Sequence, residues 1–232
     1  MNKNIIDICL INGNITIFCG IHTDTFKNDV LNSTLYSQLL ATRGGNEREA
    51  WWSTYSQTLN RFGWTLDSRG IKRLEFHNAS LFDIALEGTE SYLPIQEQQA
   101  LAGAFSELKK LPENSLIIQT IITKLQDNAS NDSGDTPDAH PTNLPVPTAT
   151  LLTIVCNDQT VVNLQIAFKT TNEIALDILD QPVLTTIEDG KNNIRLLRSK
   201  LDERQYSELR EAIIKKLGNK IKTDLLHVNA PN

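Results

Sequence analysis

The N-terminal stretch IIDICLI-NG-NITIFCG sets two apolar runs on either side of an Asn-Gly pair. That is the strongest short-range signal for a β-hairpin, because a type I′ turn needs positive φ at both central residues. A two-residue turn at Asn12-Gly13 places Ile11 opposite Asn14, so Cys9 faces Thr16 and Cys19 faces Ile6. The period then changes. Phe26, Val30, Leu35 and Leu39 recur at helical spacing and predict a helix over Thr23–Thr42. Asn46 and Glu49 have the spacing of a capping box, Trp51, Tyr55, Leu59 and Phe62 fall on one stripe, and Gly63 supplies a left-handed stop; a second helix is expected over Glu47–Phe62. Apolar runs at Ile71–Phe76 and Leu81–Leu86, joined by His77–Ser80, read as a second pair of strands. Pro94 suits the start of a helix through Leu101, Phe105 and Leu108 that Pro112 ends, and a further helical run covers Glu113–Gln126.

Asp127–Ala149 breaks the pattern. It carries four of the eight prolines, four Asp and no Lys or Arg, a composition that cannot support periodic burial and reads as a linker. The expected division is therefore a first lobe of residues 1–126, a Pro/Asp-rich linker of residues 127–149 and a second lobe of residues 150–232. In the second lobe Val162, Leu164, Ile166 and Phe168 alternate with Asn163, Gln165 and Ala167, and Ile174, Leu176 and Ile178 alternate with Ala175 and Asp177, as antiparallel strands buried on one face do. Leu151–Cys156, Pro182–Ile187 and Ile194–Ser199 read as further strands. Asp202 with Gln205 marks a helix start, Tyr206, Leu209, Ile213 and Leu217 make its apolar stripe, and Gly218 ends it. The predicted class is α+β: a helix-rich first lobe with a short β-hairpin and a second pair of strands, then an antiparallel sheet with a packed C-terminal helix.

Composition narrows the function more than the fold. With 232 residues, 40% of them hydrophobic and 22% charged, the chain belongs with globular proteins, and a formal charge of −6 argues against general affinity for nucleic acid. The charge is unevenly spread: residues 191–222 hold ten Lys/Arg and four Asp/Glu, a balance of +6, so the remainder carries −12. Arg195, Arg198, Lys200, Arg204 and Arg210 are thereby candidates for a basic face toward an acidic partner or an anionic surface, set against attraction to the acidic remainder of the same molecule. Cys9, Cys19 and Cys156 form no C-x-x-C pair, and the hairpin register separates Cys9 from Cys19, so reduced thiols are expected. No signal with a cleavage site and no apolar span is visible, which favours a cytoplasmic protein or one exported without a cleaved N-terminal signal.

Chemistry-bearing motifs are sparse. All three tryptophans lie between positions 51 and 64; Trp51 and Trp52 point about 100° apart on a helix, so Trp51 is expected in the core, with Trp52 at the rim and Trp64 just past the stop, the last two being candidate partner or sugar contacts. His22, His77, His140 and His227 lie far from one another and no two are at i,i+4, so neither a metal nor a cofactor is expected. Placing Gly134 sixth in a calcium loop puts Ala129 first and His140 twelfth, where carboxylates are required. No nucleophile elbow, Walker loop or dinucleotide fingerprint appears. The expected function is that of a non-enzymatic protein-interaction or accessory component, of the kind found in virulence or secretion assemblies, with no catalytic residue assigned and no oligomeric state indicated. Alternatives are a small hydrolase or transferase using Cys19 and His22, a carbohydrate-binding module using Trp52 or Trp64, and a cytotoxic component acting at membranes through the basic segment.

Overall fold

The computed structural model describes residues 5–44, 48–74, 79–130, 146–170, 179, 183–185 and 193–228. Its class is α+β, with seven helices and eight strands among the described residues. The hairpin of β1 (Ile6–Ile11) and β2 (Asn14–Cys19) forms in the expected register, with Cys9 opposite Thr16 and Ile6 opposite Cys19, and Asn12 and Gly13 take the positive φ of +50° and +79° that the turn demands. Helix α1 (Asp24–Arg43) is capped by the Thr23 side chain on the Phe26 amide at 3.2 Å. Helix α2 (Arg48–Arg61) ends at Gly63, whose φ is +88°; the Asn46 cap lies outside the described residues.

The next segment departs from expectation. Strand β3 runs over Trp64–Lys72, starting earlier than the predicted Ile71–Phe76, and Leu81–Leu86 belongs to helix α3 (Leu81–Thr89) rather than to a strand. The reason is local. Ser80 and Asp83 form a reciprocal capping box that lowers the Asp83 carboxyl below its usual range through the Ser80 hydrogen bonds, and Leu81, Ile84, Ala85 and Gly88 are buried at helical spacing. Helices α4 (Ile95–Leu108) and α5 (Leu116–Ser130) follow, α5 extending into the stretch read as linker.

After position 145 come β4 (Val146–Val155), β5 (Thr160–Thr170), β6 (Val183–Thr185) and β7 (Ile194–Leu201), then α6 (Glu203–Leu217) with Asp202 capping the Gln205 amide at 3.0 Å. The strand expected at 174–178 lies outside the described residues. Two elements were not foreseen: α7 (Lys220–Asp224) and β8 (Leu225–His227), which returns to pair with β1.

All eight strands share one sheet, in the order β3-β7-β5-β4-β2-β1-β8, with β6 pairing the far end of β5. The sheet ignores the boundary at 127–149. Strand β2 pairs β4 in parallel, Thr16 with Thr153 through Phe18 with Val155, and β3 pairs β7 along its whole length apart from a bulge between Leu66 and Ser68. Strands from both sides of residues 127–149 thus lie in one mixed sheet; β4, β5, β6 and β7 pair antiparallel among themselves, as expected of residues 150–232, and the parallel pair is the one that joins β4 to the hairpin.

Both faces are covered. On one, α3, α4 and α5 pack on Leu10, Ile17, Ile154, Leu164 and Ile166; on the other, α1, α2 and α6 pack on Ile11, Phe18, Val155, Val161 and Leu197. The strict alternation of β5 signalled one buried face, but Asn163, Gln165 and Ala167 are buried too. They are tolerated because they find partners: the Tyr55 hydroxyl donates to Asn163 Oδ1 at 2.9 Å, as does the Thr153 hydroxyl, while Gln165 Oε1 accepts from Arg195 at 3.2 Å. Because β4, β5 and β7 depend on β2, β3 and helices from the first half of the chain, residues 150–232 expressed alone are expected to show no cooperative thermal transition by circular dichroism, whereas the full chain melts in one. An independent sharp melt of the isolated segment would restore the two-lobe division.

Candidate functional site

Strands β2 and β4 end side by side, and their parallel register carries Cys19 next to Cys156. The chain leaves β2 through Gly20, whose φ is +88° and whose added Cβ would lie 2.2 Å from Asn157 Oδ1, so only glycine fits this approach. Asn157 in turn offers its amide to the buried Glu97 carboxylate at 3.5 Å, which ties the start of α4 to the same end. Both thiols are buried and pushed up to about 12, chiefly by desolvation and then by Glu97. Protonated and enclosed, neither is a ready nucleophile. His22 does not change that: its Nε2 donates to the Cys19 carbonyl at 3.0 Å rather than meeting the sulfur, and its ring lies between Phe18 and Phe26 at centroid separations of 5.9 and 5.4 Å. Burial lowers the His22 pKa, so the neutral ring is the form this box holds.

A second cluster sits on the α1 side of the hairpin. Cys9 and His227 are cross-strand partners in the β1–β8 pairing, with Sγ 3.3 Å from Nδ1. Asp7, two residues earlier on β1, projects to the same face, and its Oδ2 accepts from Lys27 of α1 at 2.7 Å. The Lys27 ammonium also lies 5.6 Å from the centre of the Phe18 ring. Cys9 is buried, His227 exposed and Asp7 between the two, so the cluster opens to solvent along the β8 edge.

The residues singled out from sequence scatter. Trp64 is core: it is 2% exposed and its indole N–H donates to Ser33 at 3.1 Å. Trp51 and Trp52 are both half-buried against Tyr55, at ring separations of 5.2 and 5.8 Å, so the expected contrast between a core and a rim position does not arise. Four of the five basic residues are paired with carboxylates of the same chain. Arg195 is buried and bonds the Glu49 carboxylate at 3.0 Å, Arg198 meets Asp67 at 3.1 Å, Lys200 meets Asp158 at 3.3 Å, and Arg210 clamps the buried Asp29 with two bonds of 2.8 and 2.7 Å. Of the five, Arg204 stays exposed on the first turn of α6 without such a carboxylate among the described residues. These side chains do not assemble into a basic face; they join the C-terminal segment to α1, α2, β3 and the β4–β5 turn.

An apolar gap of about 20 Å³ between the sheet and α3–α5, lined by Ile15, Leu81, Phe105 and Ile121, is too small for an organic ligand. Compared with known protein families, curated proteins and solved structures, the chain matches none. The Cys9–His227 pairing was invisible to motif reading because its members are 218 positions apart; the clue would have been the apolar Leu225-Leu226 run read as a third strand of the hairpin.

Two outcomes follow from this geometry. Arg210→Ala strips a buried carboxylate of its bidentate partner and is expected to cost about 3 kcal/mol in denaturant unfolding, while Arg204→Ala stays within about 0.5 kcal/mol. Equal costs would mean that the Asp29 clamp is not formed. His22 has a folded-state pKa below its unfolded value of 6.5, so the unfolded chain binds more protons as pH falls and the stability held by the neutral ring is lost below that value. The melting temperature is expected to fall between about pH 7.5 and about pH 5.5, and His22→Gln, which keeps a donor for the Cys19 carbonyl, to flatten that dependence. An unchanged slope in the variant would contradict the assignment.

Proposed function

We propose that the chain is a non-enzymatic protein-interaction component and that its contact surface is the end of the sheet where β2 and β4 terminate. The observation that supports this reading is the exposure there of three isoleucines, Ile5 at 52%, Ile21 at 76% and Ile95 at 69%. Ile5 and Ile21 are joined through the Gly20 amide, which donates to the Ile5 carbonyl at 2.9 Å, and Ile95 opens the helix whose Glu97 reaches Asn157 beside Gly20. Single exposed apolar residues are ordinary on protein surfaces, whereas several around one rigid end are the composition of a contact patch. The partner is a protein with an apolar face to match.

The competing readings have less behind them. A thiol hydrolase at Cys19 needs an imidazole on the sulfur, and His22 bonds the carbonyl instead. A sugar platform needs a free indole face, and Trp64 is core while Trp52 leans on Tyr55. Membrane attack through the basic segment loses four of its cations to carboxylates, Arg195, Arg198, Lys200 and Arg210, and the exposed Arg204, Lys215 and Lys216 share α6 with the exposed Glu203, Glu208 and Glu211.

The test is an Ile21→Asp/Ile95→Asp variant compared with the parent chain in affinity capture from the protein's own cell extract. Both positions are exposed, so the melt is expected to move by little, within about 0.5 kcal/mol per site, while capture of the specific partner is lost. A partner retained at parental yield by the folded variant would place the interface elsewhere.

A further inference from the structure

The Asp7, Cys9 and His227 side chains bring a carboxylate oxygen, a sulfur and an imidazole nitrogen within 4.8 Å of one another. They stand on adjacent strands near opposite ends of the described chain, two on β1 and one on β8. We propose that these three side chains bind one zinc-type divalent transition-metal ion, which clasps β8 onto the edge of the sheet.

Geometry is the first support. Zinc–sulfur and zinc–nitrogen bonds of about 2.3 and 2.0 Å at a tetrahedral angle put sulfur and nitrogen about 3.5 Å apart, and Cys9 Sγ and His227 Nδ1 are 3.3 Å apart. The carboxylate, already within 4.8 Å of both, closes on the ion with a small rotation of Asp7. Donor chemistry is the second support. A thiolate, an imidazole and a carboxylate form a borderline-soft set that selects zinc, cobalt or nickel over the all-oxygen cages of calcium and magnesium. Three protein ligands leave the fourth position to water on the open His227 side.

The neighbours fit that role. Lys27 holds Asp7 Oδ2 at 2.7 Å, which orients the carboxylate as outer partners of metal ligands do, and it remains available to the oxygen that the ion does not take. On binding, the Cys9 S–H bond breaks, the proton leaves to solvent and sulfur gives its electron pair to the metal; the dipositive ion is then balanced by one thiolate and one carboxylate. The strand being clasped is short. β8 is three residues long and, among the described residues, pairs with β1 alone; the Val228 amide on the Ile8 carbonyl at 2.8 Å, the Asn12 amide on the Asp224 carbonyl at 2.7 Å and the packing of Leu225, Leu226 and Val228 on the core hold it besides. This inference goes beyond the interaction reading and stands or falls independently of it.

The full-length chain, treated with chelator and reductant and then dialysed, is titrated with Co²⁺ and followed by absorption, and with Zn²⁺ by calorimetry and thermal melting. One ion per chain is expected, with a near-ultraviolet sulfur-to-cobalt charge-transfer band and a melting temperature raised by zinc, because the ion binds the folded chain alone. His227→Ala, at an exposed position that tolerates truncation, is expected to weaken Zn²⁺ binding by more than about tenfold and to abolish the zinc-dependent rise in melting temperature. Cys9→Ser should remove the charge-transfer band and Cys19→Ser should keep it. Absence of the band in the parent chain overturns the proposal. So does a folded His227→Ala chain that binds as tightly as the parent, or magnesium binding with equal affinity.

Discussion

Three residue pairs between β2 and β4, Thr16 with Thr153, Ile17 with Ile154 and Phe18 with Val155, set the N-terminal hairpin beside β4, β5 and β7 in one sheet, which β3 and β8 join at its two edges. A hairpin that ended at β2 would have two free edges and one marginal ladder. The parallel contact makes β2 interior and converts β4 and β5 into central strands covered from both sides. It also forces the long excursion between them. Parallel neighbours cannot be joined by a turn, and here the connection carries α1 and α2 on one face, β3 at the far edge, and α3, α4 and α5 on the other face. Forming those pairs closes a loop of more than a hundred residues, so the order of events in folding is set by contacts that reward the chain late.

Covering a sheet on both faces usually asks for strands that are apolar throughout, and this sheet departs from that on the α1 side. Asn14, Thr16, Thr153, Asn163, Gln165 and Arg195 all point there and all are buried. Asn14 donates to Gln38 of α1 at 2.9 Å and accepts the Leu151 amide at 3.1 Å, so one side chain fixes the helix, the hairpin and β4 together. Helix α1 answers in kind, burying Asp29, Ser33, Ser37 and Gln38 among its apolar residues. A hydrophobic interface would be at least as stable, but it would tolerate sliding; donors and acceptors matched at single positions penalise any register but one. The charge asymmetry acts in the same way. Four of the ten basic residues of 191–222 meet Glu49, Asp67, Asp158 and Asp29, carboxylates of α2, β3, the β4–β5 turn and α1.

What could be read from sequence was what is written locally. The Asn12-Gly13 turn, the stripe of α2 with its Gly63 stop, and α6 from Asp202 to Gly218 are each fixed by residues a few positions apart, and each is found where expected. Leu81–Leu86 was misread because its apolar run outweighed the Ser80–Asp83 cap, a local signal that was present. The two-sided sheet was misread for a different reason. Asn163 and Gln165 look solvent-facing in an alternating strand, and their burial depends on Tyr55, 108 positions away, and Arg195, 30 positions away. Trp64 could be read from sequence either as the apolar contact after the Gly63 stop or as a binding aromatic, and the distant Ser33, 31 positions away, supplies the partner for its N–H that burial requires. For the site residues, distance in sequence decided everything: no spacing rule connects Cys9 to His227.

The three cysteines show how one residue type acquires different capacities from its surroundings. All are buried and all are held near 12, so none offers a thiolate to an approaching electrophile at neutral pH. For Cys19 and Cys156 the nearest ionisable influence is the Glu97 carboxylate, which further disfavours the thiolate, and they behave as small apolar residues closing the end of the core. Cys9 is disfavoured by Asp7 in the same manner, yet its sulfur meets an imidazole whose outer side is open. A carboxylate beside a thiol suppresses ionisation, here against the opposing pull of Lys27, and it becomes an asset once a dipositive ion stands between them. Asp7, which adds to burial in keeping the Cys9 thiol protonated, is also the oxygen donor that the sulfur and the His227 nitrogen lack between them, and the three donor atoms lie within 4.8 Å of one another.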